Sequence, residues 1–267
     1  MIKLALAIVS LWVLMALLAF GLGDGANAVN LDQLLTPPHA GQWLGHDELG
    51  RSVWQRLMLG AQTSLFVAIG VVSLSALIGI SLGLLSGYLG GWFDRVMVKV
   101  IDVFLAFPGL LLAIALAAVL GPGIENVIMA LAAVGWVGFA RLTRAQTLSV
   151  KNREHVTAAR ALGVGSPTIM RRHILPLVSA PLLVEATFGF AGAVIAEAGL
   201  SFLGLGVQPP AASLGNMIRE GTRYLLVAPH LVLIPGLALL LMVLAINILG
   251  DRLRDRFDVR ETSRRKL

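Results

Sequence analysis

The sequence predicts an all-α membrane protein with six transmembrane helices. Of its 267 residues, 57% are hydrophobic and 13% are charged, whereas a soluble domain is about half apolar and a quarter charged. Several apolar runs reach the roughly 20 residues that a helix needs to cross a hydrocarbon core about 30 Å thick. The net charge of +6 comes from residues gathered between these runs, which indicates membrane topology rather than nucleic-acid binding.

Six spans are predicted in chain order, at 4–22, 63–85, 100–120, 127–148, 181–205 and 231–249. The first has a competing interpretation as a secretory signal, because Lys3 precedes it and a small-residue motif, 26–28, follows it. Its apolar run is longer than that of an ordinary signal, so we expect the helix to be retained. The third carries Asp102 and Pro108 near its start, and a proline kink is tolerated there.

The distribution of basic residues predicts the orientation. With the amino terminus inside, 17 of the 21 lysines and arginines fall in cytoplasmic segments, which places both termini in the cytoplasm. The predicted organisation is an N-terminal helix at 1–23, an external segment at 24–62, a five-helix core at 63–250 and a basic cytoplasmic tail at 251–267. Within the core, 149–180 forms a cytoplasmic loop and 206–230 a second external segment.

The cytoplasmic loop is predicted to contain two short helices. In the first, four residues share one unusually small face that another surface could approach closely: His155, Ala158, Ala159 and Leu162. Gly163 and Gly165 can adopt the positive φ angles that end a helix. Such an element suits docking, although a solvated amphipathic connector is the plainer alternative. Nearby spans leave no room for a DNA duplex.

The second helix is predicted to begin with Ser166 as its N-cap and Pro167 at its first position. It should end near Leu175, because a proline disfavours helical geometry in the residue before it and Pro176 follows.

This loop resembles the "EAA" loop of permease subunits in ATP-binding cassette importers. Ala158 and Ala159 match the two alanines of that motif, Gly163 matches its glycine, and Leu175 and Pro176 close it at the correct distance. In the family, this loop forms a coupling helix that seats in a groove of the ATPase subunit, so the resemblance implies ATPase coupling for these residues.

Two positions depart from that motif. Thr157 stands where the family has glutamate, and His173 stands where it has isoleucine. Glu154, one helical turn before Thr157, is a candidate to supply the missing carboxylate. We include all three among the predicted coupling residues.

The resemblance extends over nearly all of the chain after the first span and is closest to the second permease of dipeptide, oligopeptide and nickel importers. Four blocks carry it, in order: LGHDELGRSVWQRLMLGAQTSL (44–65), GYLGGWFDRVMVKVIDVFLAFP (87–108), LSFLGLGVQPP (200–210) and ILGDRLRDRFD (248–258). The chain departs from the subfamily pattern at three positions, Gln62, Leu214 and Val259. The four blocks still carry the resemblance.

The resemblance implies a type I importer permease in a bacterial inner membrane, forming half of a pore for small peptides. Its implied partners are a homologous second permease, two cytoplasmic ATP-binding cassette ATPase domains, an external solute-binding protein and the lipid bilayer. ATP and magnesium would be used by the ATPases. This chain has no phosphate-binding glycine-rich motif and is not expected to be an enzyme or to bind a cofactor.

Three alternatives stay open. Nickel or a metal chelate could be the cargo of the same architecture. An ion-coupled secondary transporter would require an inverted repeat and a midplane ion site, and no repeat is found. A purely structural membrane subunit is the third.

The remaining candidate residues have predicted roles in helix packing or in the translocation path. Gly79, Gly83 and Gly87 lie on one face of the second span, where small residues let helices approach closely, and a second permease is a possible partner for that face. Glu197 is predicted either to make a hydrogen-bonded helix contact or to line the translocation path, where it would favour a peptide amino terminus.

Other polar residues have plainer expected roles. Asp102 and Glu185 are expected near the cytoplasmic face, wet or paired with basic residues. His39 and His46, with Asp47 nearby, define no metal-ligand geometry, so no metal site is predicted.

Overall fold

The structure, a computed structural model, is mostly helical and has no β-strand among the elements of the part of the chain that it describes. Residues 1–264 are described, without the side chains of 23, 24 and 258–264, and residues 265–267 of the predicted basic tail lie outside the described residues. The α-helices are α1 (Ile2–Ala19), α2 (Val53–Leu89), α3 (Gly91–Leu105), α4 (Gly109–Leu120), α5 (Ile124–Val150), α6 (Glu154–Ala161), α7 (Ser166–Thr168), α8 (Leu175–Phe202), α9 (Leu214–Thr222) and α10 (His230–Arg264). Short 3-10 turns cover Gly23–Asn27 and Leu31–Gln33.

Five helical stretches of the described chain are long and apolar enough to cross a membrane, and a sixth is present if one bent pair counts as a single span. These five are Ile2–Ala19, Val53–Leu89, Ile124–Val150, Ser166–Phe202 and His230–Phe257. The six-span prediction is therefore confirmed as an all-helical membrane architecture, with one span broken.

The broken span is the third. It was predicted as one kinked helix at 100–120, whereas α3 and α4 are separate helices bent by 86° from each other. Pro108 explains the break, because proline has no N–H to donate and excludes helical geometry from the preceding Phe107. A regular helix resumes one residue later, at Gly109.

The second loop helix does not stop at Pro176, which corrects the prediction. Helical structure continues from Ser166 through a wide π-turn, Ile169–Ile174, into α8. Pro176 is the second residue of α8 and directly follows the π-turn, whose wider hydrogen-bond register accommodates a residue that has no N–H to donate. The π-turn changes the hydrogen-bond register just before the proline.

The chain divides into two compact units. The first comprises Met1–Gly70, Ile114–Leu131 and Phe190–Leu249. One cluster of its core contains four buried residues: Val53, Met217, Ala228 and Leu231. The second comprises Val71–Ala113, Ala132–Gly189 and the chain from Gly250 onward.

The second unit is held by close packing of α2 on α5. A Cβ added at Gly79 would meet the Trp136 carbonyl oxygen, and one at Gly83 would meet the carbonyl oxygen of Ala140. One added at Gly87 would lie 2.7 Å from the Thr147 Cβ. The glycine face is therefore covered by a helix of the same chain and is not free for a second permease.

Candidate functional site

The first helix of the predicted cytoplasmic loop, α6, ends in a glycine turn of the predicted kind. Gly163 has a φ of 79°, a conformation that glycine adopts without the steric cost that a Cβ imposes. The Gly163 N–H donates to the Arg160 carbonyl at 3.0 Å, and the Val164 N–H donates to the Ala159 carbonyl at 3.1 Å. This pair of bonds satisfies carbonyls that the helix end would otherwise leave unpaired.

The predicted small face of α6 is divided in the structure. Ala159 is buried together with Val156, in a cluster that also contains Ile169 and Ile174. The other three members of that face are exposed: His155, Ala158 and Leu162. Ala159 therefore anchors α6 to its own unit, and the surface left for a partner consists of the other three.

Leu162 is the most conspicuous residue of that surface. Its side chain is 84% exposed at the C-terminal end of α6, where the Gly163 turn holds the backbone in place. Leu162 was predicted on the small face of this helix but was not among the predicted coupling residues.

The departures from the family motif also lie on the surface. Glu154 occupies the first turn of α6, where a carboxylate interacts favourably with the helix dipole. Glu154 and Thr157 are both exposed, and His173 is half-buried within the π-turn. Glu154 forms no ion pair with any described residue, so a role as a replacement carboxylate stays a prediction.

Three polar contacts tie this loop to the end of α2. The Arg160 guanidinium lies over the Tyr88 ring, 5.6 Å from its centroid, and the Tyr88 hydroxyl is 3.4 Å from the Ser166 Oγ. The Lys151 Nζ donates to the Gly87 carbonyl at 2.8 Å. Ser166 was predicted to be the N-cap of the second helix. This prediction is wrong, because Gly165 occupies the cap position and Ser166 is the first helical residue.

A fourth contact joins the start of α3 to α5. The Arg144 Nε and Nη2 donate to the two carboxylate oxygens of Asp94 at 2.5 and 2.7 Å, a fork geometry that only arginine provides. The Ser86 hydroxyl donates to the same carboxylate. The sequence analysis missed this pair because its partners lie 50 positions apart.

Glu197, the predicted path candidate, is 0% exposed within the first unit. Its carboxylate accepts hydrogen bonds from the Ser201 Oγ at 2.7 Å and from the Ser64 Oγ at 3.3 Å. Ser213 stands close by and caps α9 by accepting from the Asn216 N–H at 3.2 Å. Burial among hydroxyl donors is what the hydrogen-bonded interpretation requires.

The other predicted carboxylates lie elsewhere. Glu185 is half-buried in α8, and Asp102 is exposed on α3. Neither forms an ion pair with any described residue, so of the two expected states, wet or paired with a basic residue, pairing is not seen, and the exposure of Asp102 agrees with the wet state.

The first unit contains a network of buried arginines and carboxylates that was not predicted from the sequence. Arg51 donates from its Nε to Asp47 at 2.7 Å, and the Arg56 Nη2 lies 3.0 Å from the Glu220 Oε2. Burial raises the pKa of Glu220, and the neighbouring Arg56 charge counteracts that rise. Both arginines were counted only as external charges.

The two histidines of the external segment have local partners. The His46 Nδ1 is 2.6 Å from the Thr36 hydroxyl, and burial lowers the pKa of His46. The His39 Nδ1 accepts from the Gly41 N–H at 3.3 Å. Both imidazoles therefore have roles in shaping this segment.

Comparison with known proteins gives a family and a fold. Residues 79–262 match the model of the family described as binding-protein-dependent transport system inner membrane component. The glutathione transport system permease protein GsiD of Pectobacterium atrosepticum is 43% identical over 235 residues, covering 88% of this chain and 78% of that protein. GsiD of Escherichia coli O6:K15:H31 is equally similar, with the same coverage.

The fold is shared with a solved transporter. An inward-facing structure of the MetNI methionine ABC transporter matches with a TM-score of 0.60 and 22% identity, covering 76% of this chain and 96% of that one. These similarities agree with the apolar helices and with the loop between α5 and α8. The chain belongs to the family of binding-protein-dependent transport system inner membrane components and is a permease subunit of an ATP-binding cassette importer.

Proposed function

We propose that this chain forms half of the pore of an ATP-driven importer of small peptides, with the loop 154–176 gripped by a cytoplasmic ATPase domain. The observation that carries the proposal is the two-sided construction of α6. Its Val156 and Ala159 side is fixed in the core of its own unit, while the side bearing Leu162 is exposed. An element that is rigidly held on one side and unpartnered on the other suits the transmission of force.

The loop acts mechanically and performs no covalent chemistry. When ATP binding brings the ATPase domains together, the movement displaces α6, and switching of the pore follows as a rigid-body change. The contacts of Tyr88 and Lys151 then pass the displacement to the end of α2, since both connect loop and helix directly. ATP and magnesium are used by the partner subunits.

The resemblance to glutathione permeases supports peptides as the cargo. Glutathione is itself a small peptide, and the relatives that carry its name are 43% identical over most of this chain. A solute-binding protein on the external side delivers the peptide, and a homologous second permease completes the pore. The excess of basic residues supports a cytoplasmic location for both termini and for the loop 149–180.

Reconstitution tests this proposal. The chain, its partner permease, the ATPases and the binding protein are placed in vesicles, and uptake of labelled glutathione and of labelled dipeptides is followed with and without ATP. We expect uptake that requires ATP and the binding protein. Uptake that persists with an inactive ATPase would contradict the proposal.

One variant pair tests the loop within that assay. Gly163→Pro forces a φ near −65° where the chain has 79°, so we expect uptake to be lost while the chain still inserts. Gly165→Ala is the matched control, because Gly165 has a φ of −63° that alanine adopts freely. Equal uptake by the two variants would show that this turn is not needed for coupling.

A further inference from the structure

One side of α3 carries charged side chains that form no ion pair with any residue that the structure describes. Arg95, Lys99 and Asp102 are all exposed, and their spacing of four and three residues places them on one face of a helix. We call these three residues the charged edge of α3. The opposite side of the same helix holds the buried residues Met97 and Ile101.

The packing of α3 on α5 fixes the depth of this edge. The Phe104 ring meets the Trp136 ring edge-on with centroids 5.5 Å apart, and Ile101 belongs to the same core cluster as Trp136 and Ala140. Helix α5 runs from Ile124 to Val150, so these contacts lie near its middle. Asp102, between Ile101 and Phe104, is therefore level with Trp136 and Val137, inside the candidate span Ile124–Val150 and about one helical turn from the exposed Arg141 of the same helix.

Charged side chains at that depth do not face lipid. Ionisable groups within spans are rare and face a bundle interior or a water-filled cavity, because hydrocarbon does not solvate them. No ion pair satisfies Lys99 or Asp102 within the described chain. Glu197, by contrast, is buried and hydrogen-bonded, so it has no free surface to offer.

We propose that the charged edge of α3 lines the transport path and binds the charged ends of the transported peptide. Asp102 takes the peptide ammonium, and Lys99, with Arg95 farther along the edge, takes carboxylate. This inference rests on the proposed function, because it assumes peptide cargo. A glutathione-like peptide carries one ammonium and two carboxylates at neutral pH, which matches one anionic and two cationic side chains in sign and number.

The absence of cysteine from the sequence makes an accessibility test direct. Lys99→Cys and Asp102→Cys are assembled separately with the partner subunits in vesicles and treated with a charged, membrane-impermeant methanethiosulfonate. Modification of this chain is followed by peptide mapping. Met97→Cys is the matched control, because Met97 lies on the same helix but is only 9% exposed.

We expect the cysteines at 99 and 102 to react about tenfold faster than the control, since a water-lined site admits a charged reagent and a packed one does not. Turnover with glutathione and binding protein should slow both reactions about threefold, because the cargo occupies the edge. Labelling only by an apolar, membrane-soluble maleimide would mean that the edge faces lipid. Labelling by neither reagent would mean that the second permease covers it. Either result overturns the proposal.

A second measurement uses charge-neutral variants. Asp102→Asn and Lys99→Gln should each lower glutathione uptake about fivefold or more, a loss of roughly the size expected for one charge-assisted contact. Asp251→Asn, an exposed carboxylate near the cytoplasmic end of α10, is the control and should transport normally. Unchanged uptake by both edge variants would also overturn the proposal.

The unmodified chain separates the two levels of inference. If its vesicles show no ATP-dependent peptide uptake, the proposed function fails. If they do transport, and the labelling or the neutral variants behave otherwise than expected, only the role of the charged edge fails.

Discussion

The two ends of α2 belong to different units. The charged side chains around them differ in how far they are buried. Near its start, in the first unit, Arg51 and Arg56 are 4% and 1% exposed and are held by carboxylates on two separate segments. Near its end, in the second unit, the side chains of Arg144 and Asp94 are 27% and 17% exposed. The two arginines of the first arrangement are buried, although their partner Glu220 is 20% exposed, whereas both partners of the second pair stay partly exposed to water.

The buried network also organises the backbone around it. Asp47 accepts the backbone N–H groups of Leu49 and Arg51, both at 2.9 Å, so the network folds its segment as well as neutralising charge. A buried charge that loses its partner is left without solvation. The Arg144–Asp94 pair is partly solvated already, so its contacts can rearrange at small cost. Under the proposed function, we expect the buried network to stabilise its unit and the contacts near the end of α2 to transmit movement.

The largest expected effect is at Arg56. Arg56→Ala leaves Asp47 and Glu220 short of a buried counter-charge, and removal of one partner of a buried pair destabilises by about 3–5 kcal/mol. We expect a large fall in the unfolding temperature of the purified complex. Arg252→Ala, at an exposed position of α10, is the control. A thermal scan that does not distinguish the two variants would show that the network is not a stabilising element.

The next effect tests whether the second unit depends on close helix packing. Gly83→Ala adds a Cβ that meets the carbonyl oxygen of Ala140, and overpacking of this kind costs about 1–3 kcal/mol. Gly192→Ala is the matched control, because a Cβ there meets nothing within 4 Å. Unfolding in mixed micelles measures both. Equal stability of the two variants would mean that α2 and α5 can separate without loss.

A smaller effect is expected for the Arg144–Asp94 ion pair near the end of α2. A double-mutant cycle with Asp94→Asn and Arg144→Gln should give an interaction free energy of about 1 kcal/mol, the upper end for pairs that stay partly solvated. The value should fall as salt is added, because exposed charges are screened. A coupling energy as large as that of a fully buried pair would remove the contrast between the two regions.

How far the sequence predicts this structure depends on the range of the interactions. The apolar runs correctly predicted the long helices, and Gly163 correctly predicted a turn, because both features depend on a few adjacent residues. The prolines were less predictable: Pro108 breaks a predicted span, whereas Pro176 is accommodated by a π-turn. A proline in the sequence shows that one backbone N–H is missing and that the preceding residue is restricted. Whether the helix then breaks or continues depends on the packing around it.

The candidate site follows the same division. Motif positions identified the loop, but burial of Ala159 and exposure of Leu162 depend on which side of α6 meets the core. The pairing of Arg56 with Glu220 joins residues 164 positions apart. No local pattern specifies such a contact, since either charge alone is compatible with an ordinary external segment.

The smallest expected effect on stability, and the most selective one, is at Leu162. Leu162→Ala removes a side chain that is 84% exposed, so the free energy of unfolding should change by no more than about 0.5 kcal/mol. If an ATPase groove buries that side chain, its loss should weaken ATPase binding about tenfold, since roughly 1.4 kcal/mol of apolar burial is removed. Leu226→Ala, 99% exposed in the predicted external segment, is the control. Titration of the ATPase onto the permease complex measures both, and equal affinities would place the ATPase contact somewhere other than the exposed side of α6.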